Sequence, residues 1–307
     1  MNYLHPDAQN FLDSTRDAPQ LDTQTPEKNR QDQLQACSSW GTKTELASVF
    51  DSTIRRVNVR VYIPEAAEKT AEDQPAFIYF HGGGWVLGDA DVADPAVRDI
   101  AAAAEMVCIS VDYRRAPEHP FPAALDDCLA VVDGVLAGET TLAINPKRVA
   151  IGGDSAGGNI AAVIAQERRK QITHQVLIYP VMDLSSLDTP SHQKYEDGYY
   201  LTRRRLEYFY DSYAGEADRS DVRMSPGLNQ DLAGLPPATV ITAEHDPLVS
   251  EISSYAQRML EAGNHVNAVQ FNGQVHPFVQ MGGVISDARV ARDLIGAELC
   301  HVLKGNR

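Results

Sequence analysis

From about residue 50 onward, short apolar runs alternate with longer segments in which hydrophobic residues recur at helical spacing. Most of the short runs are continuously apolar, as expected for strands that are covered on both faces of a sheet. They lie at residues 54–63, 76–80, 106–113, 148–153, 174–180, 238–243 and 265–271. This alternation predicts an α/β fold with a mostly parallel central sheet and flanking helices.

Residues 54–63 differ from the other strand candidates because apolar and polar positions alternate along them. The positions that share one face are all aliphatic: Val57, Val59, Val61 and Ile63. Such alternation indicates a half-exposed strand, which we expect to be antiparallel and near the sheet edge. Residues 123–136 instead repeat apolar side chains every three or four positions, which predicts a helix packed on the sheet.

Two regions depart from this alternation, residues 1–45 and about 184–235. The first is polar overall, but four of its apolar side chains would share one helical face: Leu4, Ala8, Phe11 and Leu12. The second contains half of the 12 tyrosines. We therefore expect residues 1–45 to form an N-terminal cap segment. Residues 46–307 are expected to form the catalytic domain, with the rest of the cap inserted at about 184–235.

Within the insertion, residues 202–214 predict one helix. Thr202 offers a side-chain oxygen for its N-cap. The side chains expected on one side of this helix are Leu206, Phe209, Tyr210 and Tyr213. The tyrosines of the insertion have two interpretations: they pack the insertion onto the body, as most such side chains do, or they contact a substrate.

Composition and charge narrow the class of protein. The chain has 307 residues, 43% of them hydrophobic, which suffices for one large α/β domain or two small ones. Its 42 acidic and 27 basic residues give a formal charge of −15, which disfavours nucleic acid and anionic membranes as partners. Residues 1–17 lack a basic leader and an apolar core, and no segment approaches about 18 continuous apolar residues. We expect a cytoplasmic protein.

The four cysteines are scattered along the chain without any C-x-x-C spacing: Cys37, Cys108, Cys128 and Cys300. This spacing favours buried, reduced thiols over a disulfide framework or a metal site.

Ser155 lies between Gly153 and Gly157, where an apolar run passes directly into an alanine-rich segment. The two glycines leave room for a sharp turn from strand to helix, and the residue at the apex then points outward. This G-x-S-x-G pattern is typical of the nucleophile in α/β-hydrolases. A serine hydroxyl is a weak nucleophile at neutral pH, so it needs a base, an acid that orients the base, and oxyanion donors.

In α/β-hydrolases the acid and then the histidine follow the serine along the chain. His276 follows a predicted strand, at the sheet edge where ligands bind in doubly wound folds, and is the predicted base. His265 and His301 are interpreted as structural or exposed. Asp246 also follows a strand and is the predicted acid, with Asp183 as the alternative because it too follows a strand.

Residues 81–85 read HGGGW and come just after the strand at 76–80. Successive glycines allow backbone amides to approach a carbonyl oxygen closely. An HGGG-type motif in this position provides oxyanion donors in lipases and esterases.

Together, HGGGW at 81–85, DYRRAPEHPFPAALDD at 112–127, GDSAGGN at 153–159 and HDPL at 245–248 resemble the bacterial branch of the hormone-sensitive lipase family of esterases. The resemblance implies an α/β-hydrolase fold with a helical cap. It also implies that Gly83, Gly84 and Ala156 supply the oxyanion amides, while His81 and Gly82 shape the loop. Pro277 departs from the family, which usually has glycine after the catalytic histidine.

These features predict a serine carboxylesterase that cleaves short- to medium-chain esters through an acyl-enzyme, with Ser155 as nucleophile, His276 as base and Asp246 as its orienting acid. No metal or cofactor is required by this chemistry. An amidase or a lactonase using the same residues remains an alternative. A noncatalytic small-molecule receptor, as in the gibberellin receptor that resembles this family but lacks the histidine, is disfavoured by His276. The resemblance permits a monomer or a homodimer.

Overall fold

A computed structural model describes residues 3–37, 40–69 and 73–305 of the chain. Residues 1, 2, 38 and 39, which belong to the predicted cap segment, lie outside the described residues. The same holds for residues 70–72, 306 and 307 of the predicted catalytic domain.

In the described part of the chain, eight strands form one sheet in the order β1-β2-β4-β3-β5-β6-β7-β8. The strands are β1 (Ser48–Ile54), β2 (Val57–Ile63), β3 (Gln74–Phe80), β4 (Val107–Asp112), β5 (Ile144–Asp154), β6 (His174–Ile178), β7 (Ala238–His245) and β8 (Val266–Val275). Strands β3 to β8 pair in parallel, whereas β1 and β2 are antiparallel to their neighbours. The predicted mostly parallel sheet is confirmed.

The antiparallel end of the sheet corrects one prediction. Residues 54–63 are not one strand, because Arg55 and Arg56 have φ of 46° and 69° and form the turn between β1 and β2. The predicted antiparallel pairing of the alternating segment is confirmed for β2. Strand β1 was not predicted, since Ser48–Ile54 is a largely exposed edge strand without a continuous apolar run.

The helices are α1 (Pro6–Thr15), α2 (Pro26–Cys37), α3 (Glu65–Glu68), α4 (Ala90–Ala104), α5 (Ala123–Leu136), α6 (Ala156–Glu167), α7 (Pro190–Lys194), α8 (Arg203–Ala214), α9 (Val249–Glu261) and α10 (Asp287–Lys304). Helix α4 packs on α10, and α5 packs on α6. Because right-handed crossovers run in opposite directions from the middle of the sheet, α4 and α6 cover opposite faces. Among the described helices, none is long and apolar enough to cross a membrane.

The predicted helices at 123–136 and 202–214 are confirmed as α5 and α8. The Thr202 hydroxyl caps α8 by accepting a hydrogen bond from the Arg205 backbone N–H, as predicted. The four side chains expected on one side of α8 are all buried: Leu206, Phe209, Tyr210 and Tyr213.

The cysteines are free thiols in this structure. Cys108 and Cys128 are buried, and burial raises the pKa of each thiol. Cys37 and Cys300 are only half-buried, so the expectation of four buried thiols is wrong for these two. Both lie near the ends of helices at the surface of the fold, at the end of α2 and late in α10.

Parallel pairing places the carboxyl ends of β3, β5, β7 and β8 at one edge of the sheet. Phe80, the last residue of β3, is in register with Gly153 near the end of β5. His245, which ends β7, is in register with Val275, which ends β8. The residues that follow these strands therefore meet at one place.

Candidate active site

Ser155 occupies the turn between β5 and α6, with φ of 55° and ψ of −117°. Its backbone N–H donates to the Ile178 carbonyl at 2.8 Å, which ties the turn to β6. A Cβ at position 157 would lie 1.9 Å from the Phe80 carbonyl oxygen, so only glycine allows α6 to begin this close to β3. The sharp turn that the G-x-S-x-G pattern predicts is present.

Ser155, His276 and Asp246 form one hydrogen-bonded chain. His276 Nε2 lies 3.0 Å from Ser155 Oγ, and His276 Nδ1 lies 2.8 Å from Asp246 Oδ2. The other carboxylate oxygen of Asp246 accepts from the Leu248 N–H at 2.9 Å, which fixes the carboxylate. The three residues are 8%, 4% and 0% exposed for serine, histidine and aspartate, respectively.

The alternative residues lie elsewhere. Asp183 Oδ1 accepts hydrogen bonds from the backbone and hydroxyl of Ser185 at 2.8 and 2.6 Å. His265 and His301 are exposed. His265 immediately precedes β8, and His301 lies near the end of α10. Strand β8 extends to Val275, so His276 follows the strand directly rather than after the longer loop expected from the sequence.

The residues predicted to supply the oxyanion donors lie in the same region as Ser155. Gly83 and Gly84 line the same cavity as Ser155, and Ala156 is the first residue of α6. Gly84 has φ of 60°, and a Cβ there would lie 2.2 Å from Cγ of Phe209 on α8. The loop backbone can therefore touch α8 only because this residue is glycine.

His81 holds the loop that carries these glycines. Its ring stacks on Tyr113 with 4.1 Å between centroids, and the Tyr113 hydroxyl donates to the His81 carbonyl at 2.7 Å. His81 Nδ1 lies 2.8 Å from the Gly82 carbonyl oxygen. Burial lowers the pKa of the His81 imidazole, so its neutral form is favoured. These contacts agree with the predicted role of His81 in shaping the loop.

Asp154, directly before Ser155, holds the Gly82 backbone by a hydrogen bond. Its Oδ1 accepts from the Gly82 N–H at 2.8 Å and from the Tyr79 hydroxyl at 2.6 Å. Gln280 in turn donates to the Tyr79 hydroxyl at 2.8 Å. Burial raises the pKa of the Asp154 carboxyl, while the two hydrogen bonds that it accepts oppose that rise.

Helix α2 contacts the other end of the same loop through residues that the sequence pattern did not indicate. Arg30 Nε donates to the Val86 carbonyl at 2.8 Å, and its guanidinium also pairs with Glu118 at 2.7 Å. Gln33 accepts from the Gly88 N–H at 2.8 Å. These contacts join segments more than 50 positions apart in sequence, so no local pattern could reveal them.

The tyrosines of the insertion mainly pack it onto the body. Tyr213 stacks on Trp85, the last residue of the HGGGW segment, with centroids 4.2 Å apart and planes 2° apart. Tyr210 lies 6.3 Å from the same indole, and Tyr199 stacks on His245. Tyr200 differs because it lines the cavity that contains Ser155.

A cavity of about 230 Å³ opens onto Ser155 and His276. Its walls are mostly apolar, and they come from α1, α2 and α8 as well as from the sheet edge. The apolar side chains include Leu21, Trp40, Leu87, Val92, Leu201 and Phe209. Within the described ranges, no group of three or more His, Cys, Asp or Glu side chains is placed to hold a metal ion.

Glu251 is a second buried carboxyl near Asp246. Its Oε1 accepts from the Met182 N–H at 2.6 Å, and its Oε2 lies 3.8 Å from His192 Nε2. Burial, followed by the negative charges of Asp183 and Asp246, raises the pKa of Glu251 well above the ordinary 4.5. Burial also lowers the pKa of His192, so this pair favours a neutral state.

Replacing Glu251 with glutamine is expected to stabilise the fold increasingly as the pH rises. Above the ordinary glutamate pKa, the folded state binds one proton more than the unfolded state, so the wild-type free energy of unfolding falls with pH. Glutamine keeps the acceptor for Met182 and has no proton to lose. The difference between the Glu251→Gln variant and the wild type should therefore grow by up to about 1.4 kcal/mol per pH unit.

Urea unfolding of both proteins between about pH 5 and 8 measures this difference. Glu261→Gln is the matched control, because Glu261 is exposed at the end of the same helix. A stability difference for Glu251→Gln that stays constant over this range would contradict the raised pKa of Glu251.

The family model of an α/β-hydrolase fold matches residues 77–280. Carboxylesterase NlhH of Mycobacterium tuberculosis is 40% identical over 243 residues, which cover 76% of this chain and 75% of that protein. Ethyl acetate hydrolase of Pseudomonas putida is 38% identical over 236 residues, covering 75% and 74%. The ester-hydrolase EH1AB1 from the metagenome of Lake Arreo superposes with a TM-score of 0.91 at 35% identity, covering 97% of this chain and 98% of that one. An esterase of the archaeon Pyrobaculum calidifontis superposes with a TM-score of 0.91 at 33% identity, covering 98% of each chain.

Proposed function

We propose that this chain, which belongs to the hormone-sensitive lipase type of the α/β-hydrolase fold family, hydrolyses carboxylic esters through an acyl-enzyme on Ser155. The family match and the named relatives confirm the predicted fold and the predicted enzyme class, a serine hydrolase of the carboxylesterase kind. The observation that carries the assignment of residues is the continuous chain of hydrogen bonds from Asp246 through His276 to Ser155.

In the first half of the reaction, His276 Nε2 accepts the proton of Ser155 as Oγ attacks the ester carbonyl carbon. Asp246 holds Nδ1–H and so keeps Nε2 free to accept that proton. The same histidine then gives the proton to the departing alcohol oxygen. This leaves the acyl group on Ser155 as an ester.

The backbone amides of Gly83, Gly84 and Ala156 are proposed to stabilise the negative charge on the carbonyl oxygen. Each donor of this kind is worth roughly 10² to 10³ in rate. In the second half, His276 removes a proton from water as the water attacks the acyl carbon, and then gives that proton to Ser155 Oγ as the acid is released.

The substrate class that we propose is a small ester with a short- to medium-length acyl chain. The cavity of about 230 Å³ is smaller than the typical ligand pocket of about 300 to 1,000 Å³. Residues 1–45 and about 184–235 are proposed to act as the cap, since α1, α2 and α8 contribute its outer walls. The free thiols Cys108 and Cys128 support a reducing cytoplasm as the working compartment.

Hydrolysis of p-nitrophenyl esters from acetate to palmitate tests this proposal. We expect rapid release of p-nitrophenolate from the acetate-to-octanoate esters and a steep loss with palmitate, because the cavity is small. A p-nitrophenyl phosphonate should release p-nitrophenolate once and leave its phosphonyl group on Ser155, detected by peptide mass spectrometry. Labelling of the exposed Ser253 instead, or no turnover of any ester by the folded protein, would contradict the proposal.

A further inference from the structure

Arg205 lies in the first turn of α8, at the boundary between the active-site cavity and a neighbouring cleft of about 570 Å³. Its side chain lines both spaces, as does that of Tyr200. The Arg205 guanidinium carbon lies 4.3 Å from the centroid of the Tyr200 ring, which is a cation–π contact. Among the described residues that line the active-site cavity, Arg205 is therefore a cation that contacts an aromatic ring and forms no salt bridge.

This cation lacks the partner that other arginines of the chain have. Among the described residues, no carboxylate or carbonyl oxygen accepts a hydrogen bond from the Arg205 guanidinium. Within this part of the chain, only the backbone N–H of Arg205 donates a hydrogen bond, to the Thr202 hydroxyl. The guanidinium of every other described arginine except Arg56 donates to a protein acceptor, as Arg204 does to Asp22 at 2.8 Å. Arg56 is exposed in the turn between β1 and β2.

The surrounding charges leave Arg205 available. The chain carries 42 acidic residues against 27 basic ones, so acidic partners for its arginines are plentiful. Asp32 lines the same cavity, but it pairs with Lys28 and accepts from Gln24 at 3.3 Å. Asp197 lines the neighbouring cleft without reaching ion-pair distance of any described cation. A half-buried guanidinium with free donors is suited to bind a carboxylate with two parallel hydrogen bonds.

We propose that Arg205 forms a subsite for an anionic group on the substrate, so that the enzyme favours esters that carry a carboxylate remote from the reacting carbonyl. This inference rests on the proposed hydrolysis at Ser155, because both residues line one cavity. The ester carbonyl would lie at Ser155, while the far end of the acyl or alcohol chain would reach Arg205. The carboxylate takes no part in bond making or breaking.

The test compares two pairs of esters that differ only in whether one end is a carboxylate or a methyl group. Ethyl hydrogen adipate and ethyl hexanoate probe the acyl side, while 6-acetoxyhexanoate and hexyl acetate probe the alcohol side. For one of these pairs, the ratio of kcat/KM for the anionic ester to that for the neutral ester should fall about tenfold in Arg205→Gln. Arg204→Gln is the matched control, because Arg204 is next to Arg205 in sequence but is exposed and pairs with Asp22.

High salt provides a second readout, because added NaCl should lower the ratio for the wild type and leave that for Arg205→Gln unchanged. If both ratios are the same in the wild type and Arg205→Gln, or if Arg204→Gln lowers them equally, Arg205 is a packing residue and the proposal is wrong.

A binding measurement separates this proposal from the proposed hydrolysis. Calorimetry of the same anionic esters with Ser155→Ala, with and without Arg205→Gln, requires no turnover. If the anionic esters bind more tightly when Arg205 is present than in Arg205→Gln, the subsite is supported even if no ester is hydrolysed. If they bind equally with and without Arg205, the subsite is overturned even if every ester is hydrolysed.

Discussion

Replacing Ser155 with alanine is expected to lower kcat/KM for p-nitrophenyl butyrate by roughly 10⁴- to 10⁶-fold. Without Oγ there is no acyl-enzyme, and His276 loses the group whose proton it accepts, 3.0 Å away. The side chain is small and lies in a turn fixed by backbone contacts, so the fold should persist. Because the proposed oxyanion amides and the cavity stay in place, the loss should be in kcat rather than in KM.

Steady-state kinetics on purified protein measure this loss, with circular dichroism to establish that the variant is folded. Ser253→Ala is the control, since its hydroxyl donates to the Val249 carbonyl on the exposed side of α9. If Ser155→Ala retained more than about a hundredth of wild-type activity, Ser155 would not be the nucleophile.

Much of the sheet could be predicted because buried parallel strands leave continuous apolar runs. The run at 76–80 lies within β3 and that at 174–180 overlaps β6. Edge strand β1 left no such run, since most of Ser48–Ile54 is exposed and its position depends on pairing with β2. The strands that could be predicted from the sequence are therefore the buried ones. An exposed strand that is defined by pairing with its neighbour leaves no apolar pattern.

The candidate triad could be located for a related reason. Ser155, Asp246 and His276 each directly follow a strand, so parallel topology alone brings them to one edge. The structure brings them to hydrogen-bonding distance, and their catalytic roles stay predictions. Arg30 contacts a residue 56 positions away, and Arg205 lines the same cavity as Ser155. Both placements depend on how helices α2 and α8 fold over the sheet.

Replacing Asp246 with asparagine should lower kcat for the same ester by about 10⁴-fold while leaving the fold intact. An asparagine keeps the size of the side chain, but its amide can donate to His276 Nδ1 and stabilise the tautomer in which Nε2 carries the proton. In that tautomer His276 cannot accept the proton of Ser155. The Leu248 N–H donates to Asp246 Oδ1 at 2.9 Å, and in the variant it can donate to the amide oxygen of asparagine instead.

Asp183→Asn is the decisive comparison, because Asp183 is the other carboxylate that follows a strand of this sheet edge. Its hydrogen bonds go to Ser185, so its replacement should change kcat by less than about threefold. Measuring both variants across the pH range of activity distinguishes loss of the base from a shifted optimum. A large loss in Asp183→Asn together with a small loss in Asp246→Asn would transfer the role of the acid to Asp183.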